Sequence, residues 1–160
     1  AEVTLVEYGD YECLHCRNAH AVVKQIQRYL GSEHLRHVFR HFPLTQARAD
    51  AERAAQAAEA AGSRGRFWEA HDLLFERRGT YEQIFRRYAA ALGVDARLLL
   101  GEVAEGVYLA RVREDFMSGV MSGVKGTPTF FINGAPYEGG YDFDTLLSAV
   151  EEAGESVLLC

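Results

Sequence analysis

Apolar positions along this chain alternate between two periods. The switches mark a strand–helix–strand opening, a long helical stretch and a strand–strand–helix close. Residues 2–8 carry a nearly continuous apolar run that ends at Gly9-Asp10, which predicts a buried strand followed by a turn. Cys16, Ala19, Val23, Ile26 and Leu30 then recur at alternating three- and four-residue intervals, the stripe of an amphipathic helix that Gly31 stops. Leu35 to Phe42 predicts a second strand, halted by Pro43. The helix between the two strands implies that they pair in parallel.

From about Thr45 to Met121 the helical period prevails. An alanine-rich helix over 47–61 ends at Gly62-Ser63-Arg64-Gly65, and Phe67, His71, Leu74 and Phe75 form the stripe of the next. Thr80 and Gln83 make a capping box ahead of Ile84, Phe85 and Tyr88. Asp95 opens a shorter helix, and a last one runs from about Val107 to Met121. Strand character returns at Thr129–Ile132, and Asn133-Gly134 predicts a two-residue hairpin. The return strand, Ala135 to Glu138, contains Pro136 and is therefore expected at a sheet edge. Phe143, Leu146, Leu147 and Val150 share one face of a final helix. Neither flank completes a sheet alone. The expected fold is α/β, with one domain formed by residues 1–44 and 123–160 and interrupted by an all-helical domain over 45–122.

At 160 residues and 48% hydrophobic content the chain can bury a proper core. Its net charge of −6 argues against nucleic acid or an anionic membrane surface as the main partner. No stretch approaches the roughly 18 apolar residues of a membrane span. The chain opens on Val3-Thr4-Leu5-Val6 without a basic, apolar leader. A native start here predicts the cytoplasm; a removed signal peptide predicts the periplasm or cell envelope.

Candidate chemistry begins at Cys13-Leu14-His15-Cys16, at the start of the first helix. Two thiols three residues apart can close a disulfide, and unpaired N–H groups at a helix N-terminus stabilise an anion by roughly 0.3–1 kcal/mol when exposed. His15, if protonated, adds a positive charge beside Cys13. Both effects favour the Cys13 thiolate and make it a better leaving group. Cys16 lies on the apolar stripe and should face the core, where it would resolve a mixed disulfide formed on Cys13. The competing reading is half a zinc site, for which His15 and His20 are the only nearby additional ligands. Cys160 is left over at the C-terminus, either without a role or as the link of a disulfide-bonded dimer of an otherwise monomeric chain.

Glu7 interrupts the first apolar strand six residues before Cys13, where a turn would bring it beneath the dithiol as a proton acceptor for Cys16; the alternative is an edge carboxylate facing solvent. Gly126-Thr127-Pro128-Thr129 precedes the third strand, and a cis bond there would set the Thr127 backbone beside the sulfurs. His71, next to Trp68 and Phe75, reads as a packed helix residue rather than a ligand. His34, His37 and His41 either face solvent or supply a cation near Glu7.

Taken together, Tyr8–Cys16, Phe42-Pro43-Leu44, Phe67–Asp72 and Gly126–Gly134 resemble the DsbA-like branch of the thioredoxin superfamily over nearly the whole chain. The resemblance implies a thioredoxin fold split by a helical domain and a thiol:disulfide oxidoreductase that needs no cofactor beyond its own disulfide. Cys13 then matches the nucleophile, Cys16 the resolving cysteine, Glu7 the buried acid and Pro128 the cis-proline, with Thr127 offering backbone bonds to an extended substrate. Implied partners are cysteine-containing proteins or peptides and a thiol or disulfide that regenerates the site. The departure is Leu14, which stands where the family pattern has proline and supplies an extra N–H and an exposed apolar side chain for substrate contact. The direction of electron flow stays open. Two other classes remain in play: a redox-inert binding module or chaperone with this fold, and a metal protein built on Cys13, Cys16 and histidines.

Overall fold

Strand β1 (Val3–Gly9) pairs in parallel with β2 (Leu35–His41) and antiparallel with β3 (Thr129–Ile132), and β4 (Ala135–Tyr137) closes the order β2-β1-β3-β4. This computed structural model describes residues 1–44 and 48–159. The expected helix start at 47 and domain boundary at 45, and the expectations for Cys160, lie outside the described residues. Helix α1 (Leu14–Leu30) connects β1 to β2. Five helices fill the interval between β2 and β3: α2 (Arg48–Gly62), α3 (Phe67–Glu76), α4 (Tyr81–Leu92), α5 (Ala96–Ala104) and α6 (Leu109–Met121). Helix α7 (Phe143–Leu159) ends the chain. This is the β-α-β, helical and β-β-α order that the sequence pattern predicts.

Side chains of a strand alternate between faces, and that alternation positions the chemistry. Val3, Leu5 and Glu7 share the face covered by α1 and α7, where Ala19, Val23, Ile26, Leu146 and Val150 complete a buried core. Val6 and Tyr8 point the other way, toward Phe42, Phe116, Val124 and Phe131. Gly119 of α6 permits this second layer, since a Cβ there would lie 2.6 Å from the Phe42 ring. A third core lies among the inserted helices. Five alanines of α2 are buried there against Leu74, Phe75, Phe85, Leu99 and Val103, small side chains that let several helices approach one axis. Each buried Phe or Leu contributes about 1.5–3 kcal/mol of transfer free energy. Tyr11, Cys16 and Phe39 belong to this third cluster, so the helices reach the dithiol directly.

Local signals hold where they are chemical. Thr80 and Gln83 form the reciprocal capping box, and Asp95 caps α5 through the Leu98 N–H. Asn133 and Gly134 take φ of 50° and 83°, the positive pair that a tight hairpin requires. The last inserted helix starts at Leu109 rather than at Val107, because Val107 N–H bonds to the Glu102 carbonyl in a turn that finishes α5.

Candidate active site

Asp10 builds the platform on which the first cysteine sits. Its carboxylate accepts from the Glu12 N–H at 2.8 Å and the Leu44 N–H at 3.0 Å, and its carbonyl accepts from the Cys13 N–H at 3.1 Å. The loop after β1 is thereby tied both to itself and to the end of β2. Cys13 is the N-cap of α1, extended at φ −89° and ψ 123°, and its carbonyl receives the Arg17 N–H. Its thiol makes no capping bond; instead Sγ lies 3.6 Å from the Thr127 carbonyl oxygen. Cys13 is partly exposed and Cys16 fully buried, and both are free thiols.

The two sulfurs differ by environment. Burial pushes the Cys16 thiol well above the ordinary thiol range, and the negative charges of Cys13 and Glu7 push it the same way. A backbone hydrogen bond from Asp10 and one from the Thr127 side chain act against this without cancelling it. Thr127 therefore meets both sulfurs, through its carbonyl and its side chain, and the Thr127–Pro128 bond is cis. Leu14, between the cysteines, is 66% exposed. His15 is exposed and bonds through Nδ1 to the Tyr141 hydroxyl at 3.0 Å, which holds its ring toward the loop after β4.

Glu7 is 1% exposed on the central strand, which rules out the solvent-facing edge position. Its Oε1 meets His37 Nε2 at 2.9 Å, while Oε2 is buried with no hydrogen-bond partner. His37 pairs with Leu5, two positions before Glu7 in the register and on the same face, so the β1–β2 register brings the two side chains together. Of the three strand histidines, it is His37 that supplies the group beside Glu7. His34 is exposed and pairs with Glu2, and His41 is buried near Glu59. The sequence marks Gly9-Asp10 as a turn signal without assigning Asp10 a part in holding Cys13, and it does not single out Tyr141.

Two other histidines sit apart from the sulfurs. His20 bonds to Glu76 and His15 to Tyr141, so the ligands considered for a zinc site on the dithiol are engaged elsewhere. Among the described residues, neither cysteine falls within a group of three metal-ligating side chains. His71 is packed among Phe39, Phe67, Trp68 and Phe75, and burial holds its imidazole well below the ordinary value, uncharged at neutral pH. No helix among the described residues is long and apolar enough to cross a membrane.

The Thioredoxin family model matches residues 1–152. A protein named Na(+)/H(+) antiporter NhaA 1, from Salinispora arenicola, is 40% identical over 154 residues, which cover 96% of this chain and 23% of that protein. The chain thus spans about a quarter of the length of the curated relatives it matches. Among solved structures, a thioredoxin-like oxidoreductase from Silicibacter pomeroyi is 29% identical, with a TM-score of 0.79 over 96% of this chain and 87% of that one. The α-DsbA1 of Wolbachia pipientis shares the fold at 18% identity, with a TM-score of 0.80 over 98% and 88% of the two chains.

Proposed function

Because the chain belongs to the thioredoxin family, in its helix-interrupted DsbA-like form, we propose that it exchanges thiols and disulfides with cysteine-containing proteins or peptides. The observation that carries this reading is the inequality of the two sulfurs: one at the open N-terminus of α1, the other buried three residues later. Starting from the Cys13–Cys16 disulfide, a substrate thiolate attacks Cys13 Sγ. The Cys13–Cys16 bond breaks, a substrate–Cys13 disulfide forms, and Cys16 leaves as a thiolate. A second substrate thiolate then attacks the substrate sulfur and releases Cys13, so two electrons pass from substrate to protein. The same steps in reverse reduce a substrate. No bound cofactor is needed, since the electrons reside in the sulfur pair, and a second thiol or disulfide resets it.

Burial makes the Cys16 thiolate a costly product, so it must gain a proton as it leaves. We assign delivery of that proton to Glu7, a buried acid whose charge acts on Cys16 and whose Oε1 meets His37. Cys13 sits at the open amide end of α1, where an incoming sulfur can reach it. An extended substrate would lie against Thr127 and Pro128 by adding a short strand, with Leu14 as an apolar contact.

The direct test is catalytic. Substoichiometric protein should accelerate insulin reduction by dithiothreitol or the oxidation of a reduced peptide; acceleration of neither leaves the fold as a redox-inert binding module. Glu7→Gln should slow exchange about 10²-fold and flatten its pH dependence, the range of general acid–base catalysis. An unchanged pH profile would remove Glu7 from the proton path.

The 40% identity to part of a protein named as a Na(+)/H(+) antiporter favours one further context. There the exchange unit is carried by, or docks on, a transport protein whose cysteines are among its substrates. Covalent trapping decides this, as the presence or absence of such a protein in the adducts.

A further inference from the structure

Away from the dithiol, α1 and α3 meet at a polar cluster that the exchange reaction does not use. His20 Nε2 of α1 lies 2.9 Å from Glu76 Oε2 and 3.7 Å from Asp72 Oδ1, both of α3. Lys24 holds the other Asp72 oxygen, Oδ2, at 3.1 Å, which leaves Oδ1 directed to His20. His71 stands beside them. One ligand atom from each of His20, His71 and Asp72 lies within 4.8 Å of the other two. His20 and His71 are both buried, at 5% and 1% exposure.

Ion pairing accounts for His20, Lys24 and the carboxylates but not for His71. The His71 Nδ1 meets the Tyr11 hydroxyl at 2.8 Å. The ring's second nitrogen takes no hydrogen bond among the described residues, and His71 lines a cavity wall together with His20 and the Asp72 carboxylate. A hydroxyl or carbonyl on one ring nitrogen, with the other left as a lone-pair donor, is the arrangement by which proteins orient a metal-binding histidine. His20, His71 and Asp72 line a cavity of about 250 Å³ together with His37 and Trp68, so an ion has somewhere to sit.

We propose that His20, His71 and Asp72, completed by Glu76, bind a divalent transition-metal ion such as zinc. Two imidazole nitrogens and two carboxylate oxygens are a donor set that zinc accepts in tetrahedral geometry at about 2.0–2.2 Å. The present spacing is wider, so the side chains draw inward on binding. Two carboxylate charges would meet the charge of the ion, and Lys24 keeps its bond to Oδ2. The site would pin the dithiol-bearing helix to the inserted helices. It is separate from the cysteines, which are not among its ligands.

The test uses oxidised protein carrying Cys160→Ser, in which no thiolate is free to compete. Titration with cobalt(II) alone should reach one equivalent and give visible ligand-field bands without sulfur-to-metal charge transfer. Zinc alone should raise the thermal midpoint. His20→Ala should weaken binding at least tenfold, as should Asp72→Asn, a half-buried position that serves as the second variant if His20→Ala does not fold. Tyr11→Phe should weaken it by about 10- to 100-fold through the ring it orients. Absence of a stoichiometric cobalt spectrum, or equal affinity in the wild type and in a folded His20→Ala or Asp72→Asn protein, overturns the proposal. These readouts do not involve exchange activity, so they stand whether or not the chain is an oxidoreductase.

Discussion

Cys13→Ser is expected to reduce catalysed insulin reduction and peptide oxidation to the rate of the buffer thiol alone, a loss of about 10³-fold or more. The reason is chemical: every exchange step forms or breaks a bond at Cys13 Sγ, and a serine hydroxyl neither attacks a disulfide nor forms one. The stability cost should be small. Cys13 is partly exposed, and its thiol's hydrogen bond to the Thr127 carbonyl is a long one. Changes at such a position usually stay within about 0.5 kcal/mol, so the urea midpoint serves as a control. Exchange that survives in a folded Cys13→Ser protein would transfer the chemistry to another residue.

Cys16→Ser should give the opposite phenotype, with turnover lost and adducts gained. Without its resolving sulfur, a Cys13–substrate disulfide can be released only by an external thiol, and it should accumulate as a higher-mass species on non-reducing electrophoresis that dithiothreitol removes. Cys16 is fully buried, so a serine there places a hydroxyl among apolar atoms at a cost of about 1–3 kcal/mol. A melting curve must therefore accompany the trap. A folded Cys16→Ser protein that turns over like the wild type, or that forms no adduct, would reverse the roles given to the two sulfurs.

Much of this was legible in the residues themselves. The stripe Cys16, Ala19, Val23, Ile26 and Leu30 stated both that a helix begins near Cys13 and that the second sulfur faces inward, and four of those five side chains are buried. The apolar strand around Glu7 left a buried and an edge position both open, and the structure buries it; the edge position of β4 followed from Pro136. The cis bond at Pro128 was not readable from composition; it entered through the resemblance of the Thr-Pro segment to a known family. What stayed hidden depends on how non-neighbouring elements dock. Selecting His37 over His34 and His41 as the partner of Glu7 requires the β1–β2 register. The Arg17 guanidinium bonds to the Phe75 and Arg77 carbonyls, and the His20, Asp72 and Glu76 group forms only when α1 lies against α3. Neither the period nor the spacing of a single helix carries that information.

Alkylation of the reduced protein most directly tests whether the fold makes the two sulfurs unequal. Iodoacetamide would be applied to the folded Cys160→Ser protein at neutral pH and again near the ordinary thiol range, about pH 8.5, with the modified residue located by mass spectrometry. A thiol pushed upward by burial stays protonated through that interval, so Cys13 should be modified at both pH values while Cys16 remains intact until the protein is unfolded. Modification of both cysteines at similar rates in the folded protein would contradict the account.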